Sequence, residues 1–197
     1  MPRLSEVRRS DTTSPVVLAA YDFIFGDRCP VEAPGTADGT RGDWWTTYAL
    51  VPDVLDHAVQ GFLLYASPDR ALDPRVRELA QLRVGVRAQS AFVERQHTRA
   101  ALAAGLPDEA VGAVRAGRVS GPGLTPAMSA ALAYVDALVI GLGSVPPEVD
   151  RDLSGHFGDE EILELTYIAT LYLAHAVAAK ALQLEDDNPS TGDPSGA

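Results

Sequence analysis

Apolar residues recur at helical spacing along most of the chain, and sustained alternation of apolar and polar positions is absent. "SPVVLAAYDFIFG" predicts a short first helix stopped at Gly26, followed by a long loop rich in Pro, Gly and Asp. "WWTTYALVPDVLDHAVQGFLLYA" reads as helical, with Pro52 at a helix start or a break. "LDPRVRELAQLRVGVRAQ" opens with a start signal. Asp73 can cap free amides, and Pro74 suits the first helical position because its missing N–H costs nothing there. Thr125–Pro126 repeats that logic before "AMSAALAYVDALVIG". "AFVERQHTRAALAAG", "LPDEAVGAVRAG" and "VPPEVDRDLSGHF" supply further helices. The longest is "GDEEILELTYIATLYLAHAVAAKALQLEDD", with acidic residues at its N-terminal end, where the helix dipole favours them.

The expected fold is all-α, a bundle of about seven or eight helices. Residues 1–42 form an N-terminal arm with one short helix and a loop, 43–187 the helical domain, and 188–197 a disordered tail. Leu165 to Leu184 is apolar almost all round but carries two threonines, a histidine, a lysine and a glutamine. It is expected to be a buried core helix rather than a membrane span. An apolar surface on every side also predicts a homo-oligomer.

Charge narrows the function. At a net charge of −11 the chain is a poor partner for nucleic acid or an anionic membrane surface. A single cysteine, Cys29, allows no internal disulfide and no Cys-x-x-Cys pair. With no apolar segment of signal-peptide type in "MPRLSEVRRSDTTSP", a cytoplasmic location is expected. No two histidines have the spacing of a helical zinc site and no glycine-rich phosphate loop follows a strand, so neither a metal nor a nucleotide is expected.

The candidate chemistry lies in one hairpin. His97 shares a helical face with Val93, Ala100, Ala101 and Ala104, a face that should be buried. Glu78 precedes it by nineteen residues, and their midpoint falls between residues 87 and 88, next to the expected turn at 88–90. In an antiparallel helical hairpin, residues equidistant from the turn stand at one height. A carboxylate–imidazole contact there can orient the ring and move protons near neutral pH. The same contact can equally be a structural pair that fixes the hairpin.

"LDPRVRELAQLRVG…SAFVERQHTRAALAAGLPDEAV" resembles the carboxymuconolactone decarboxylase-like superfamily, which includes alkylhydroperoxidase D. "HFGDEEILELTYIATLYLAHAVAAKALQLEDD" is similar to its closing helix, and "GDWWTTYALVPDVLDHAVQGFLLYASPDRALDPRVREL" to the lead-in of an actinobacterial branch. In the peroxidase branch, the resemblance implies a relay glutamate at Glu78, a histidine at His97, and cysteines where this chain has Ser90 and Val93. Without those thiols, a peroxidase-related antioxidant role is the weakest reading. The resemblance implies instead a cofactor-independent lyase or isomerase acting on a small organic acid, lactone or carbonyl compound, assembled as a dimer, trimer or hexamer. A non-catalytic oligomeric binding or scaffold protein of the same fold is the alternative.

Other residues carry two readings each. Trp44, Trp45 and Tyr48 are either packing residues or an aromatic wall of a substrate pocket. Arg83 is either paired with an acid or holds a substrate anion in bidentate fashion. His175, three residues after Tyr172 on the most apolar helix, is either a core histidine or a pocket residue, and Ser90, Val93 and Tyr172 are expected with it among the substrate-binding residues.

Overall fold

The computed structural model describes residues 1–187, so the tail expected over 188–197 lies outside the described residues. Among these there are nine α-helices, two 3-10 turns and no strands. The all-α class is as expected. The helix count exceeds the expectation because the "WWTTYALVPDVLDHAVQGFLLYA" segment divides at Val51–Pro52 into two helices. The chain forms two compact units, residues 1–68 with 179 onward, and residues 69–178.

The first unit holds α1 (Pro15–Phe25), α2 (Asp43–Tyr48) and α3 (Pro52–Ala66). Ser14 caps α1 by accepting from the Val17 amide, and Pro15 takes the first turn. Gly42, at φ 90°, must be glycine: a Cβ there would stand 2.6 Å from the Phe25 ring. The C-terminal 3-10 turn Glu185–Asp187 is tied to the start of α2 by reciprocal bonds. Glu185 accepts from the Gly42 and Trp44 amides, each at 3.0 Å, and its own amide donates to Asp43 Oδ1 at 2.7 Å. Burial pushes both carboxyl pKas up. An apolar groove of about 710 Å³ runs between α1 and α3.

The second unit holds α4 (Pro74–Ala88), α5 (Ala91–Ala103), α6 (Asp108–Arg115), α7 (Pro126–Val139) and α8 (Pro147–Ser154). It also holds most of α9 (Asp159–Leu182). Asp73 caps α4, Ser90 caps α5 and Thr125 caps α7 through side-chain bonds to backbone amides. Gln89 makes the α4–α5 turn in the left-handed region at φ 55°. Leu79, Leu82, Val84, Ala101, Val135 and Leu165 build the core of this unit, each 1% exposed or less.

Helix α4 is buried nearly all round because it serves two neighbours. Successive residues turn by about 100°, so Glu78, Gln81, Leu82 and Gly85 share one side, while Arg83 and Arg87 share another. The first side meets α5. A Cβ on Gly85 would lie 2.6 Å from the Glu94 amide nitrogen, so only glycine permits the two backbones this close. The second side meets Asp136 on α7. On α9 the pattern is one-sided. Leu165, Ile168, Ala169 and Ala176 are fully buried, whereas Leu163, Tyr167, Thr170, Ala174 and Val177 form an exposed stripe. Among the described residues α9 is the one helix long and apolar enough to cross a membrane.

Candidate functional site

Glu78 on α4 and His97 on α5 meet across the hairpin. The His97 Nδ1–Glu78 Oε2 distance is 2.8 Å, and both residues are buried, at 7% and 8% exposure. The second Glu78 oxygen, Oε1, accepts from Arg77 Nε at 3.2 Å and Nη2 at 3.1 Å. Burial works to raise the Glu78 pKa. The hydrogen bond from His97, with the charges of His97 and Arg77, outweighs it and holds the carboxyl below the ordinary carboxylate range. Glu78 is therefore an acceptor at neutral pH, and it fixes the His97 proton on Nδ1. The other ring nitrogen of His97 is Nε2. That atom is buried and accepts no hydrogen bond among the described residues.

Aromatic rings extend from this pair. The Tyr172 ring lies 4.7 Å from the His97 ring, edge to face at 84°. Tyr172 and His175 are 5.8 Å apart, and Phe92 stands 5.5 Å from His175. Tyr172 and His175 thus fall in one cluster with His97. Burial, and then the charge of His97, pushes the His175 pKa down to about 4, so this ring is neutral near pH 7.

A pH dependence follows. The unfolded chain takes up a proton at the ordinary histidine value near 6.5, while folded His175 refuses it until about pH 4. Stability is full above pH 6.5 and falls as pH drops from 6.5 towards 4, by roughly 2–3 kcal/mol. Urea midpoints measured across that window should slope with pH in the native protein and flatten in His175→Gln. An equal slope in both would mean that His175 is not the group responsible.

The hairpin start is used structurally. Ser90 is fully buried and its Oγ accepts from the Val93 amide at 3.3 Å, capping α5; Val93 is fully buried packing. Trp44, Trp45 and Tyr48 belong to the first unit. Trp44 is 2% exposed and stacks on Tyr48 at 4.1 Å, and Trp45, half-buried, lines the apolar groove.

Arg83 requires a correction. It does not face His97: it lies five residues from Glu78, about 140° round the helix. It is fully buried, and its Nε and Nη2 donate to Asp136 at 2.7 and 2.6 Å, with Nη1 donating to the Arg118 carbonyl at 3.2 Å. A guanidinium committed on all three nitrogens and closed to solvent holds the protein's own acid, not a substrate anion. Asp136 was missed in the sequence. The signal for it was present: Arg83 and Arg87 share a helix side and need an acid, and Asp136 is the only acid in α7.

The chain matches the carboxymuconolactone decarboxylase family over residues 52–137. The comparison with curated proteins returns no match. Among solved structures, an uncharacterised peroxidase-related protein from Ralstonia eutropha with the alkylhydroperoxidase AhpD core aligns with a TM-score of 0.72 at 14% identity. It covers 93% of this chain and 90% of that one. A protein of unknown function from Agrobacterium tumefaciens, linked by its description to AhpD antioxidant defence, gives 0.63 at 23% identity over 69% and 92%. The debrominase Bmp8, solved as a cysteine-to-alanine variant with 2,3,4-tribromopyrrole, gives 0.67 at 15% over 95% and 94%. At these identities the likeness is one of fold.

Proposed function

We propose that this chain, which belongs to the carboxymuconolactone decarboxylase-like superfamily and has the AhpD-like fold, is a cofactor-independent acid–base enzyme. His97 moves a proton on a small organic acid, lactone or carbonyl compound, in a decarboxylation, isomerisation or elimination. The observation that carries this reading is the division of labour on one ring. Nδ1 is held at 2.8 Å by an ionised Glu78, and Nε2 is buried without a hydrogen-bond partner among the described residues. A proton taken from substrate goes to Nε2, and the resulting imidazolium is stabilised by the carboxylate already in contact. Arg77, on the other Glu78 oxygen, keeps Glu78 in place as a positioning residue. The absence of cysteine at positions 90 and 93 weighs against thiol peroxide turnover.

The test is solvent exchange. Small lactones, carboxymuconolactone among them, and 2,3,4-tribromopyrrole, the ligand of the debrominase neighbour, are incubated with enzyme in D₂O and followed by NMR. Enzyme-dependent deuterium uptake or conversion that is lost in His97→Gln supports the reading. Uptake that persists unchanged in His97→Gln removes it.

The assembly is proposed to be a homo-oligomer, supported by the α9 stripe of Leu163, Tyr167, Thr170, Ala174 and Val177. Its spacing is that of one helix face, and small Thr170 and Ala174 at its centre allow close approach by another helix. Light scattering of the native chain should exceed the 20.9 kDa of one copy, and Val177→Glu should shift it towards that mass. A native chain at about 21 kDa across micromolar concentrations would sink the proposal.

A further inference from the structure

The groove between α1 and α3 is lined by apolar side chains and one carboxylate, Asp56. Its α1 wall is ordered by size. Val16, Ala19, Ala20 and Phe23 fall on one side of the helix, with two alanines at the centre and a larger side chain one turn away at each end. Phe23 is 89% exposed, although it lines the same groove as Val59 and Phe62 of α3. The chain's own residues 188–197, NPSTGDPSGA, carry no apolar side chain larger than proline and cannot fill it. Charge favours this face for a self-contact. A chain of net charge −11 repels its own copies, so two copies can meet only where little uncancelled charge stands. The one charged residue of α1, Asp22, is bridged by Arg9 at 2.6 Å.

We propose that this groove is the docking surface for a second copy of the chain, with α1 packed antiparallel on α1 about a two-fold axis between Ala19 and Ala20. The size order sets the register. Ala19 of one copy meets Ala20 of the other, and these small residues let the helices approach closely. Phe23 of each copy passes over Val16 of the other and enters the groove, against Val59 and Phe62. Each contact is made twice, as a two-fold interface requires. Burial of two phenylalanine rings that stand in water in the single copy drives association. The groove lies in the first unit and the α9 stripe in the second, so the two surfaces are separate. The pairing is also independent of the acid–base reading of His97.

Light scattering tests the pairing in Val177→Glu, which removes the proposed α9 contact and leaves the groove intact. That protein should still show twice the 20.9 kDa of one copy at micromolar concentration. Adding Phe23→Glu should raise the dimer dissociation constant about 100-fold, because the change enters the interface twice. Helical circular dichroism should not change, since Phe23 is exposed in the single copy. Leu63→Glu, on the α3 wall and 55% exposed, should act in the same way. In a Cys29→Ser background, Ala20→Cys brings one thiol from each copy to the axis. A short bismaleimide should join the two, and Phe23→Glu should abolish the link. A Val177→Glu protein at 20.9 kDa across micromolar concentrations would overturn the proposal. So would Ala20→Cys that does not cross-link, or a dimer or link that survives Phe23→Glu. If the single copy instead binds the apolar dye ANS with quenching of Trp45, the groove belongs to a small apolar ligand and the pairing falls.

Discussion

Asp136→Ala should cost about 3–5 kcal/mol of stability, the usual scale for removing one partner of a buried ion pair. Arg83 is fully enclosed, and the substitution would leave its guanidinium with only the Arg118 carbonyl at 3.2 Å. Arg87, half-buried, would also lose its bonds at 2.8 and 2.7 Å but can turn to water. For a domain of this size the loss corresponds to a drop in melting temperature of roughly 10 °C. The double variant Arg83→Met/Asp136→Leu should recover most of it, because the penalty arises from the unpaired charge and not from loss of the bond. Asp136 adds a pH arm. Burial raises its pKa, but the bonds from Arg87 and Arg83 and their charges prevail and hold it low. Its contribution is present above the ordinary aspartate range and lost as pH falls through the depressed folded value. Turnover per folded molecule should hold in Asp136→Ala. A stable Asp136→Ala protein that had lost turnover would return Arg83 to the site as an anion holder.

The helices were legible where backbone chemistry is local. Asp73–Pro74 and Thr125–Pro126 cap and open α4 and α7 in the structure as the residue types require. The hairpin count also transferred, because helix geometry and a short turn leave little freedom between residues 78 and 97. Properties that depend on a third element did not transfer. Arg83 could be read either way until α7 brought Asp136 against it. The sequence marked α9 as apolar all round, but which side is covered is a property of neighbouring helices, and one stripe is exposed. Trp44 and Trp45 are adjacent in sequence yet differ in fate, since consecutive helical residues point about 100° apart. One stacks on Tyr48 and the other lines the groove.

His97→Gln should lower turnover by roughly 100-fold or more, the scale expected when a general acid/base is lost. The amide keeps polarity and approximate size and can still donate to Glu78, so the hairpin should hold and the melting temperature should change little. It cannot carry a proton between substrate and solvent. Glu78→Gln should impair the same step by a smaller factor, because an amide still reaches Nδ1 but no longer offers a charge to the imidazolium. Glu78→Gln also gives up the charge-assisted bonds from Arg77, so some stability should go with it. If the Glu78–His97 bond only fixes the hairpin, the pattern reverses. His97→Gln would then melt earlier, and each folded molecule would work as well as before. Melting temperature and deuterium exchange measured on one preparation of each variant separate the two outcomes. A destabilised His97→Gln protein with unimpaired exchange would make this a core histidine, and the chemistry would have to be sought elsewhere in the chain.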